Sequence, residues 1–284
     1  MTLLNGKRIV VTGGARGLGR AYALSCAQEG GSVMVNDLDQ VAVDAVVEEI
    51  RAAGGTAAGH AGSVAAWADA GALIDGCVEA FGGIDGLVNN AGITAVGEPW
   101  EFGEEDLRRV VDVNLLGTLN CGTHALRAMV AQGSGTILNV TSGALLGIRE
   151  HSLYGATKGA VMSLTYGWAL DAAPHGVRVN ALSPLARTKM SEAWANRDAA
   201  HMDEPPPEAV APVVAYLLSD RAAAISGQVI RLDAGGLSLM TPPAFPASVP
   251  VEPRTVDEVA RVFGEQLRAA LEPVGFGRAD LSGS

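Results

Sequence analysis

Short runs of apolar, often β-branched residues alternate with longer stretches in which apolar residues recur at helical spacing. The short runs predict strands and the longer stretches predict helices. The predicted strands are Lys7–Thr12, Ser32–Asp37, Ala57–His60, Gly86–Asn89, Gly135–Val140, Val177–Leu182 and Gln228–Leu232, and the predicted helices are Gly17–Glu29, Val41–Ala53, Ala65–Phe81, Glu104–Ala131, Ser152–Ala173 and Glu208–Ser219. Because this alternation implies right-handed crossovers, the pattern predicts an α/β fold: a doubly wound parallel sheet with helices on both faces.

The pattern changes near Ser238, so we predict a single domain over residues 1–237 and a C-terminal extension over residues 238–284. Thr241–Pro253 is rich in proline and predicts an extended connector. Thr255 and Glu258 have the spacing of a capping box, which predicts the start of a helix. The apolar positions predicted to share one face of that helix are Val256, Val259, Val262, Phe263 and Leu267.

The composition bounds the class of protein. Of the 284 residues 48% are hydrophobic, which is enough for one sizeable core. The formal net charge of −11 argues against nucleic acid and anionic membrane surfaces as partners, and the sequence predicts neither a membrane span nor a signal peptide. Cys26, Cys77 and Cys121 lie in predicted helices without metal-ligand spacing, so we expect reduced, buried thiols, no metal site and a cytoplasmic location.

A glycine-rich turn joins the first predicted strand to the first predicted helix. Its glycines permit a tight turn and let backbone amides approach a pyrophosphate at the positive end of the helix. The residues of this turn predicted to bind a dinucleotide are Gly13, Arg16, Gly17, Leu18 and Gly19. Asp37 ends the second strand, where a carboxylate would accept hydrogen bonds from the adenosine ribose and repel a 2′-phosphate. NAD is therefore the favoured cofactor.

Two other interpretations stay open at this turn. Asp37 also suits an ordinary solvated turn, since it lies in Asn36-Asp37-Leu38-Asp39. Arg16 is a cation that would attract a 2′-phosphate, which leaves NADP as the less favoured cofactor.

Further motifs follow the later strands in a fixed order. Asn89-Asn90-Ala91-Gly92 follows the fourth strand, Asn114 lies in the long helix, Ser142 follows the fifth strand, and Tyr154-Gly155-Ala156-Thr157-Lys158 opens the next helix. With the glycine turn, these motifs resemble the short-chain dehydrogenase/reductase family over Leu3–Leu237. The resemblance implies a Rossmann fold, a nicotinamide dinucleotide, a small-molecule alcohol or ketone substrate, and a homotetramer or homodimer.

Tyr154 and Lys158 are four residues apart, so a helix places both on one face. A neighbouring ammonium and the positive ring of an oxidised nicotinamide would stabilise the phenolate of a tyrosine whose ordinary pKa is about 10, and so make it a usable base. The resemblance implies that Lys158 also binds the nicotinamide ribose and that Ser142 donates to the substrate oxygen. It implies that Asn114 holds a water in a proton path.

The resemblance implies further cofactor contacts along the chain. They are Ser63, Val64, Asn90, Ala91, Gly92, Tyr154, Lys158, Pro184 and Thr188. Two places depart from the family pattern: Ser63-Val64 stands where the family has Asp-Val, and Pro184-Leu185 stands where it has Pro-Gly. Ser63-Val64, Trp67 and Ala186–Glu192 resemble the branch with the 3-hydroxyacyl-CoA dehydrogenase units of multifunctional β-oxidation enzymes.

Three functions follow as hypotheses. The first is an NAD-dependent dehydrogenase of secondary alcohols, the second an NADPH-dependent ketone or 3-oxoacyl reductase, and the third a dinucleotide-binding regulatory protein without turnover. The resemblance also implies that the helices Glu104–Ala131 and Ser152–Ala173 pack against copies of themselves. The residues that give the first of these helices its apolar surface, unless they belong to the core, are Leu116, Leu119, Leu126 and Met129.

Overall fold

The computed structural model describes residues 2–187, 204–233, 235–244 and 255–267. The chain divides into two compact units, with the division between Met240 and Thr241. Thr188, most of the Lys189–Pro207 segment and most of the proline-rich connector lie outside the described residues.

The larger unit is built on a single sheet. Its strands are β1 (Arg8–Thr12), β2 (Ser32–Asp37), β3 (Thr56–Ala61), β4 (Gly86–Asn89), β5 (Gly135–Val140), β6 (Val177–Pro184), β7 (Val229–Asp233) and β8 (Gly236–Leu239). They lie in the order β3-β2-β1-β4-β5-β6-β7-β8, and every pairing is parallel except that of β7 with β8. The predicted parallel, doubly wound sheet is confirmed.

The prediction that the last strand lies at Gln228–Leu232 is wrong, because β8 follows β7 and runs back along it. Asp233 pairs with Gly236 and Ile230 pairs with Leu239. A tight reversal next to glycines needs few residues, and the resulting four-residue edge strand is too short to produce a clear alternating pattern.

The helices follow the predicted bounds to within a residue or two. They are α1 (Gly17–Gln28), α2 (Gln40–Ala52), α3 (Trp67–Phe81), α4 (Glu104–Val111), α5 (Gly117–Gln132), α6 (Ser152–Ala172), α7 (Pro207–Leu218) and α8 (Val256–Val262). The prediction of one uninterrupted helix over Glu104–Ala131 is wrong in one respect, because a π-helical turn, Asp112–Leu116, separates α4 from α5. The spacing of apolar residues does not reveal a single widened turn, since both flanking helices keep the helical repeat of apolar positions.

Helices cover both faces of the sheet, each over its own apolar core. One core contains side chains of α1, α2 and α7, including Tyr22, Ile50 and Val214. The other contains side chains of α3, α5 and α6, including Leu73 and Ala172. The described part of the chain contains no helix that combines the length and the apolar character needed to cross a membrane.

The three cysteines lie in α1, α3 and α5, as predicted, and all are buried as free thiols. Burial raises the pKa of Cys26, Cys77 and Cys121 to about 12 in each case. Each is therefore a protonated, unreactive thiol at neutral pH.

The smaller unit contains α8, and the predicted capping box is confirmed at its start. The Glu258 amide donates to Thr255 Oγ1 at 3.2 Å, and the Thr255 amide donates to Glu258 Oε2 at 2.9 Å. A π-helical turn, Phe263–Leu267, follows the helix. Among the apolar positions predicted to share one face of this helix, Val262 is buried. Val256, Val259 and Phe263 are exposed.

Candidate active site

The strand order reverses between β1 and β4, since β2 and β3 lie on one side of this pair and β5 to β7 on the other. In such a sheet the loops that leave the carboxyl ends of the two strands diverge and leave a crevice, where ligands bind. The glycine turn leaves β1 at this point, and Asn90 and Ala91 follow β4. The two motifs therefore meet at one edge of the sheet.

The glycines of the turn are required by close backbone approach. A Cβ at Gly19 would overlap the carbonyl oxygen of Gly13, and a Cβ at Gly13 would lie 2.9 Å from the Cα of Ala91. Gly13 has a φ of +60°, a conformation that L side chains rarely adopt. Any side chain at either position would push the turn away from the end of β4.

Asn90 and Thr12 hold the turn in place. The Asn90 side-chain amide donates to the carbonyl oxygens of Thr12 at 3.0 Å and of Gly13 at 3.1 Å. Thr12 Oγ1 accepts from the amides of Asn90 at 3.0 Å and of Ala91 at 3.1 Å. Sequence analysis did not single out Thr12; the signal was a hydroxyl at the end of an otherwise apolar strand. Asn90, predicted to contact the cofactor, makes these side-chain contacts with the backbone of the turn.

The start of α1 presents backbone amides to the crevice. Arg16 is the N-cap residue, and the first turn of the helix is Gly17-Leu18-Gly19, which carries no acidic side chain. Amides in a first helical turn have no carbonyl partner within their helix, and the helix dipole favours an anion there. The cradle of small residues and amides therefore fits the pyrophosphate of a dinucleotide.

Asp37 closes one side of the cradle at the end of β2. Its Oδ2 accepts from the Ala15 amide at 3.2 Å, and its Oδ1 accepts from the Leu38 amide at 2.8 Å. The carboxylate is thus held beside the glycine turn. Arg16, from the turn itself, forms an ion pair with Asp39.

The end of β3 lies next to β2 in the same region. The Asn36 side-chain amide donates to the carbonyl oxygens of His60 at 3.1 Å and Gly62 at 3.0 Å. The Ser63 amide donates to Asp69 Oδ2 at 2.9 Å. Val64 is buried and packs against Gly117 so closely that a Cβ on that glycine would lie 2.6 Å from Val64 Cγ2.

Tyr154 and Lys158 open α6 as one buried pair. Tyr154 is 6% exposed and Lys158 is 3% exposed. Lys158 Nζ lies 5.7 Å from the centre of the Tyr154 ring and donates to the Val140 carbonyl oxygen at 2.7 Å. The Ser142 and Tyr154 side chains are hydrogen-bonded to each other, so the motifs after β5 and at the start of α6 converge.

Burial sets the ionisation of both groups in the protein alone. It raises the pKa of Tyr154 to about 12, against the opposing effect of the Ser142 hydrogen bond, and lowers the pKa of Lys158 to about 8. The tyrosine pKa therefore shifts opposite to the direction that a base at neutral pH requires. A positive group beside the phenol would have to offset the desolvation of the phenolate.

Asn114 lies in the π-helical turn and is fully buried. Its Oδ1 accepts from the Ile93 amide at 2.8 Å, and its Nδ2 donates to the Ile93 carbonyl at 2.9 Å and to Thr157 Oγ1 at 3.1 Å. A Cβ added at Gly92 would lie 3.3 Å from Asn114 Oδ1 and 3.5 Å from Lys158 Nζ. Asn114, Gly92 and Lys158 thus surround one point. Thr157, which sequence analysis did not single out, joins Asn114 to α6.

Other residues near these motifs have structural contacts. Asn89 Nδ2 donates to Asn139 Oδ1 at 2.9 Å, which joins β4 to β5. Pro184 is the last residue of β6 and pairs with Leu232 of β7. His151 lies at the start of α6, where its Nδ1 is 2.8 Å from the Arg149 carbonyl oxygen. Thr188 is outside the described residues.

Comparison with known proteins gives concordant relatives. The chain is 38% identical over 251 residues to 2,5-dichloro-2,5-cyclohexadiene-1,4-diol dehydrogenase of Sphingobium indicum, covering 83% of this chain and 98% of the relative. It is 37% identical over 238 residues to cyclohexanol dehydrogenase of an Acinetobacter species, covering 81% and 94%. A crystal structure of a short chain dehydrogenase from Mycobacterium avium superposes with a TM-score of 0.84 at 33% identity, covering 95% of this chain and 98% of that one.

The family comparison agrees with the geometry of the crevice. Residues 7–199 match the family described as short chain dehydrogenase. The family binds a nicotinamide dinucleotide, for which the amide cradle of α1 is suited. This chain belongs to the short-chain dehydrogenase/reductase family of oxidoreductases.

Proposed function

We propose that this enzyme is an NAD-dependent dehydrogenase that interconverts a secondary alcohol and a ketone, with Tyr154 as its acid and base. The observation that carries the proposal is the convergence of Ser142, Tyr154 and Lys158 with the amide cradle at one end of the sheet. Three side chains from two separate motifs lie together, and the proposal puts the reactive ring of a bound dinucleotide beside them.

Each side chain has a role in the proposal that suits its surroundings. Tyr154 exchanges the proton of the substrate hydroxyl group, and Ser142, hydrogen-bonded to Tyr154, donates to the same oxygen. Lys158, as an ammonium, opposes the cost of a buried phenolate at Tyr154. The bound dinucleotide supplies the hydride acceptor or donor for the carbinol carbon.

Proton exchange with solvent is assigned to the surroundings of Lys158. Burial lowers its pKa to about 8, so it gains and loses a proton near neutral pH. Gly92 borders both its ammonium and the Asn114 side chain, and the Asn114 amide is fixed by Ile93 and Thr157. This rigid amide is proposed to position the water through which Lys158 exchanges its proton.

Asp37 supports NAD over NADP. Two backbone amides hold its carboxylate beside the glycine turn, at the end of β2, where the adenosine ribose is expected. A negative charge fixed at this point accepts ribose hydroxyl hydrogens and repels a 2′-phosphate. A second candidate, an NADPH-dependent ketone reductase, is favoured by Arg16 alone.

Two measurements test the proposal. The first is a screen of secondary alcohols with NAD, in which we expect NADH absorbance to appear with at least one substrate. The screen begins with cyclic alcohols, because the relatives include a cyclohexadienediol dehydrogenase and a cyclohexanol dehydrogenase. Fluorescence titration should show tighter binding of NADH than of NADPH. Tighter NADPH binding would contradict the role of Asp37, and absence of turnover across a broad panel with both cofactors would favour the regulatory hypothesis.

A homotetramer or homodimer is proposed for the assembly. A cavity of about 440 Å³ is lined by residues of α6 and the π-helical turn, and its lining includes neither Tyr154 nor Lys158. Its lining residues include Leu115, Leu164 and Trp168, and Leu116 is 41% exposed close by. Met129, predicted as surface or core, is fully buried and belongs to the core. Sedimentation at the monomer mass would contradict the assembly.

The cellular location is proposed to be the cytoplasm. Three buried free thiols support it, because a reducing compartment keeps cysteines in this form. Fractionation of the native host, followed by detection of the chain with an antibody, tests the location.

A further inference from the structure

The charged side chains beside the glycine turn form a set of three rather than a single acid. Asp37 lies at the end of β2, Asp39 two residues later, and Arg16 in the turn that faces them. Arg16 forms an ion pair with Asp39, not with Asp37, and the Asp37 carboxylate accepts from backbone amides. Arg16 and Asp39 therefore act as a pair next to the carboxylate proposed to bind the ribose.

Backbone contacts position the two residues that form this ion pair, whose side chains are 65% and 42% exposed. Asp39 is the N-cap residue of α2, and its Oδ1 accepts from the Ala42 amide at 3.2 Å. Its other oxygen faces Arg16. One carboxylate thus caps a helix and binds a guanidinium at the same time. An acid already ordered as a helix cap loses little further conformational freedom when it pairs.

The opposite side is equally constrained. Arg16 is in an extended conformation, with φ −147° and ψ 162°, immediately before α1. The residues that precede it are bound to the end of β2: the Gly14 amide donates to the Asn36 carbonyl at 2.7 Å and the Ala15 amide to Asp37. The turn therefore presents Arg16 at a defined place opposite Asp39.

The balance of charge decides what this place can bind. A guanidinium is well matched to a phosphate, because its planar fork donates two hydrogen bonds at once. A phosphate monoester carries about two negative charges near neutral pH. Arg16 paired with Asp39, next to Asp37, leaves one net negative charge in this cluster, so a 2′-phosphate would have to compete with Asp39 for Arg16 and also approach Asp37.

We propose that Asp39 is a specificity-determining residue, which occupies Arg16 and so removes the cation that would otherwise bind the 2′-phosphate of NADP. The inference rests on the proposed function, since it deepens the preference for NAD. Asp37 repels the 2′-phosphate directly, whereas Asp39 pairs with Arg16, the cation that the phosphate would otherwise bind. Exclusion of NADP thus depends on two acids in different roles.

The test is a double-mutant cycle with Asp39→Asn and Arg16→Gln. Asparagine keeps the side-chain oxygen that caps α2, so the fold is retained while Arg16 is released. Dissociation constants of NADH and NADPH are measured by fluorescence titration for both single variants and the double variant. We expect D39N to tighten NADPH binding about tenfold and to change NADH binding less than about twofold. Adding R16Q to D39N should remove most of the gain.

A matched control separates this effect from the overall charge of the protein. Arg20 of α1 and Glu49 of α2, the helices that follow Arg16 and Asp39, form a second ion pair, at 2.6 Å. Glu49→Gln removes the same charge as Asp39→Asn without touching the glycine turn. It should leave the ratio of the two dissociation constants within about twofold of the unmodified protein.

Two results would overturn the inference. One is a gain in NADPH binding in D39N no larger than that in E49Q. The other is an R16Q variant of the unmodified protein that weakens NADPH binding as much as R16Q does in D39N, since Arg16 would then bind phosphate despite Asp39. A different result bears on the proposed function: if the unmodified protein bound NADPH more tightly than NADH, the proposed NAD preference would be wrong. The coupling between D39N and R16Q tests the role of Asp39 separately.

Discussion

Asn114 hydrogen-bonds both backbone polar groups of Ile93, at 2.8 Å to the amide and 2.9 Å to the carbonyl. The π-helical turn Asp112–Leu116 is what carries its side chain to the loop after β4. A widened turn of this kind is less favourable than an α-helical one and is found frequently at functional sites. The paired amide offsets the cost and joins the long helix to the loop that borders the site.

Replacement of Asn114 by alanine should therefore reduce both stability and turnover. It leaves the two polar groups of Ile93 without their partner in a partly buried place, so we expect a loss of about 1 to 3 kcal/mol in the free energy of unfolding. Urea denaturation followed by circular dichroism measures the loss, and NADH formation measures turnover. A variant that unfolds at the same urea concentration as the unmodified protein would show that this contact is not structural.

Replacement of Tyr154 by phenylalanine removes only the group proposed to exchange the substrate proton. We expect kcat to fall about 10²- to 10⁴-fold, while the dissociation constant of NADH changes less than about twofold. Stopped-flow or steady-state assays measure kcat, and fluorescence titration measures binding.

The matched control for this variant lies on the same helix. The Tyr166 hydroxyl is buried and has no hydrogen-bond partner within the described residues, so Tyr166→Phe deletes an equivalent atom away from the site. Turnover should be retained in Y166F. Equal loss in Y154F and Y166F would mean that α6 is sensitive to any such change and that the acid/base assignment is unsupported.

Replacement of Gly19 by alanine tests the dinucleotide cradle. A Cβ there would overlap the Gly13 carbonyl and lie 2.5 Å from Asn90 Nδ2, so the turn must move. We expect NADH binding to weaken by about tenfold or more and stability to fall by about 1 to 3 kcal/mol.

A glycine with space around it provides the comparison. Gly76 lies in α3, and a Cβ there would make an ordinary contact, 3.8 Å from Met34 Cε. Gly76→Ala should raise the free energy of unfolding by about 0.5 to 1 kcal/mol and leave NADH binding as it is. If G19A bound NADH as well as G76A does, the cradle would be placed wrongly.

The buried ammonium predicts a pH dependence of stability. Burial lowers the pKa of Lys158 from 10.5 to about 8, so the folded protein releases this proton at a lower pH than the unfolded chain. Between these two values the unfolded chain binds more protons, so the contribution of Lys158 to the free energy of unfolding rises with pH there. The whole gain in the free energy of unfolding, about 3 kcal/mol, is reached above the pKa of the unfolded chain. It is lost as the pH falls to the folded-state pKa of about 8.

Comparison with Lys158→Met isolates this contribution. Tyr154 and the three buried cysteines have raised pKa values, which lower stability at high pH, but they are present in both proteins. Urea denaturation from pH 7.5 to 10.5 should show the unmodified protein gaining stability relative to K158M as pH increases. A difference that stays constant over this range would mean that Lys158 is not desolvated in the folded state.

Most element positions were predictable because they depend on local sequence. The apolar runs of β2 and β4 coincide with the predicted strands, and the Thr255 and Glu258 capping box appears as its spacing indicates. The π-helical turn and β8 were not predicted. Each is stabilised by partners distant in the chain or by an edge pairing, so no local period identifies it.

The alternation of apolar runs determined the fold class, and the four-residue spacing of Tyr154 and Lys158 determined that both share a helical face, because helix geometry is local. Only the tertiary structure decided that Ser142 contacts Tyr154, that Asn114 contacts Ile93 and Thr157, and that Arg16 faces Asp39. The physical reason is that these contacts join residues separated by 12 to 43 positions and form only where the crossovers bring the strand ends together.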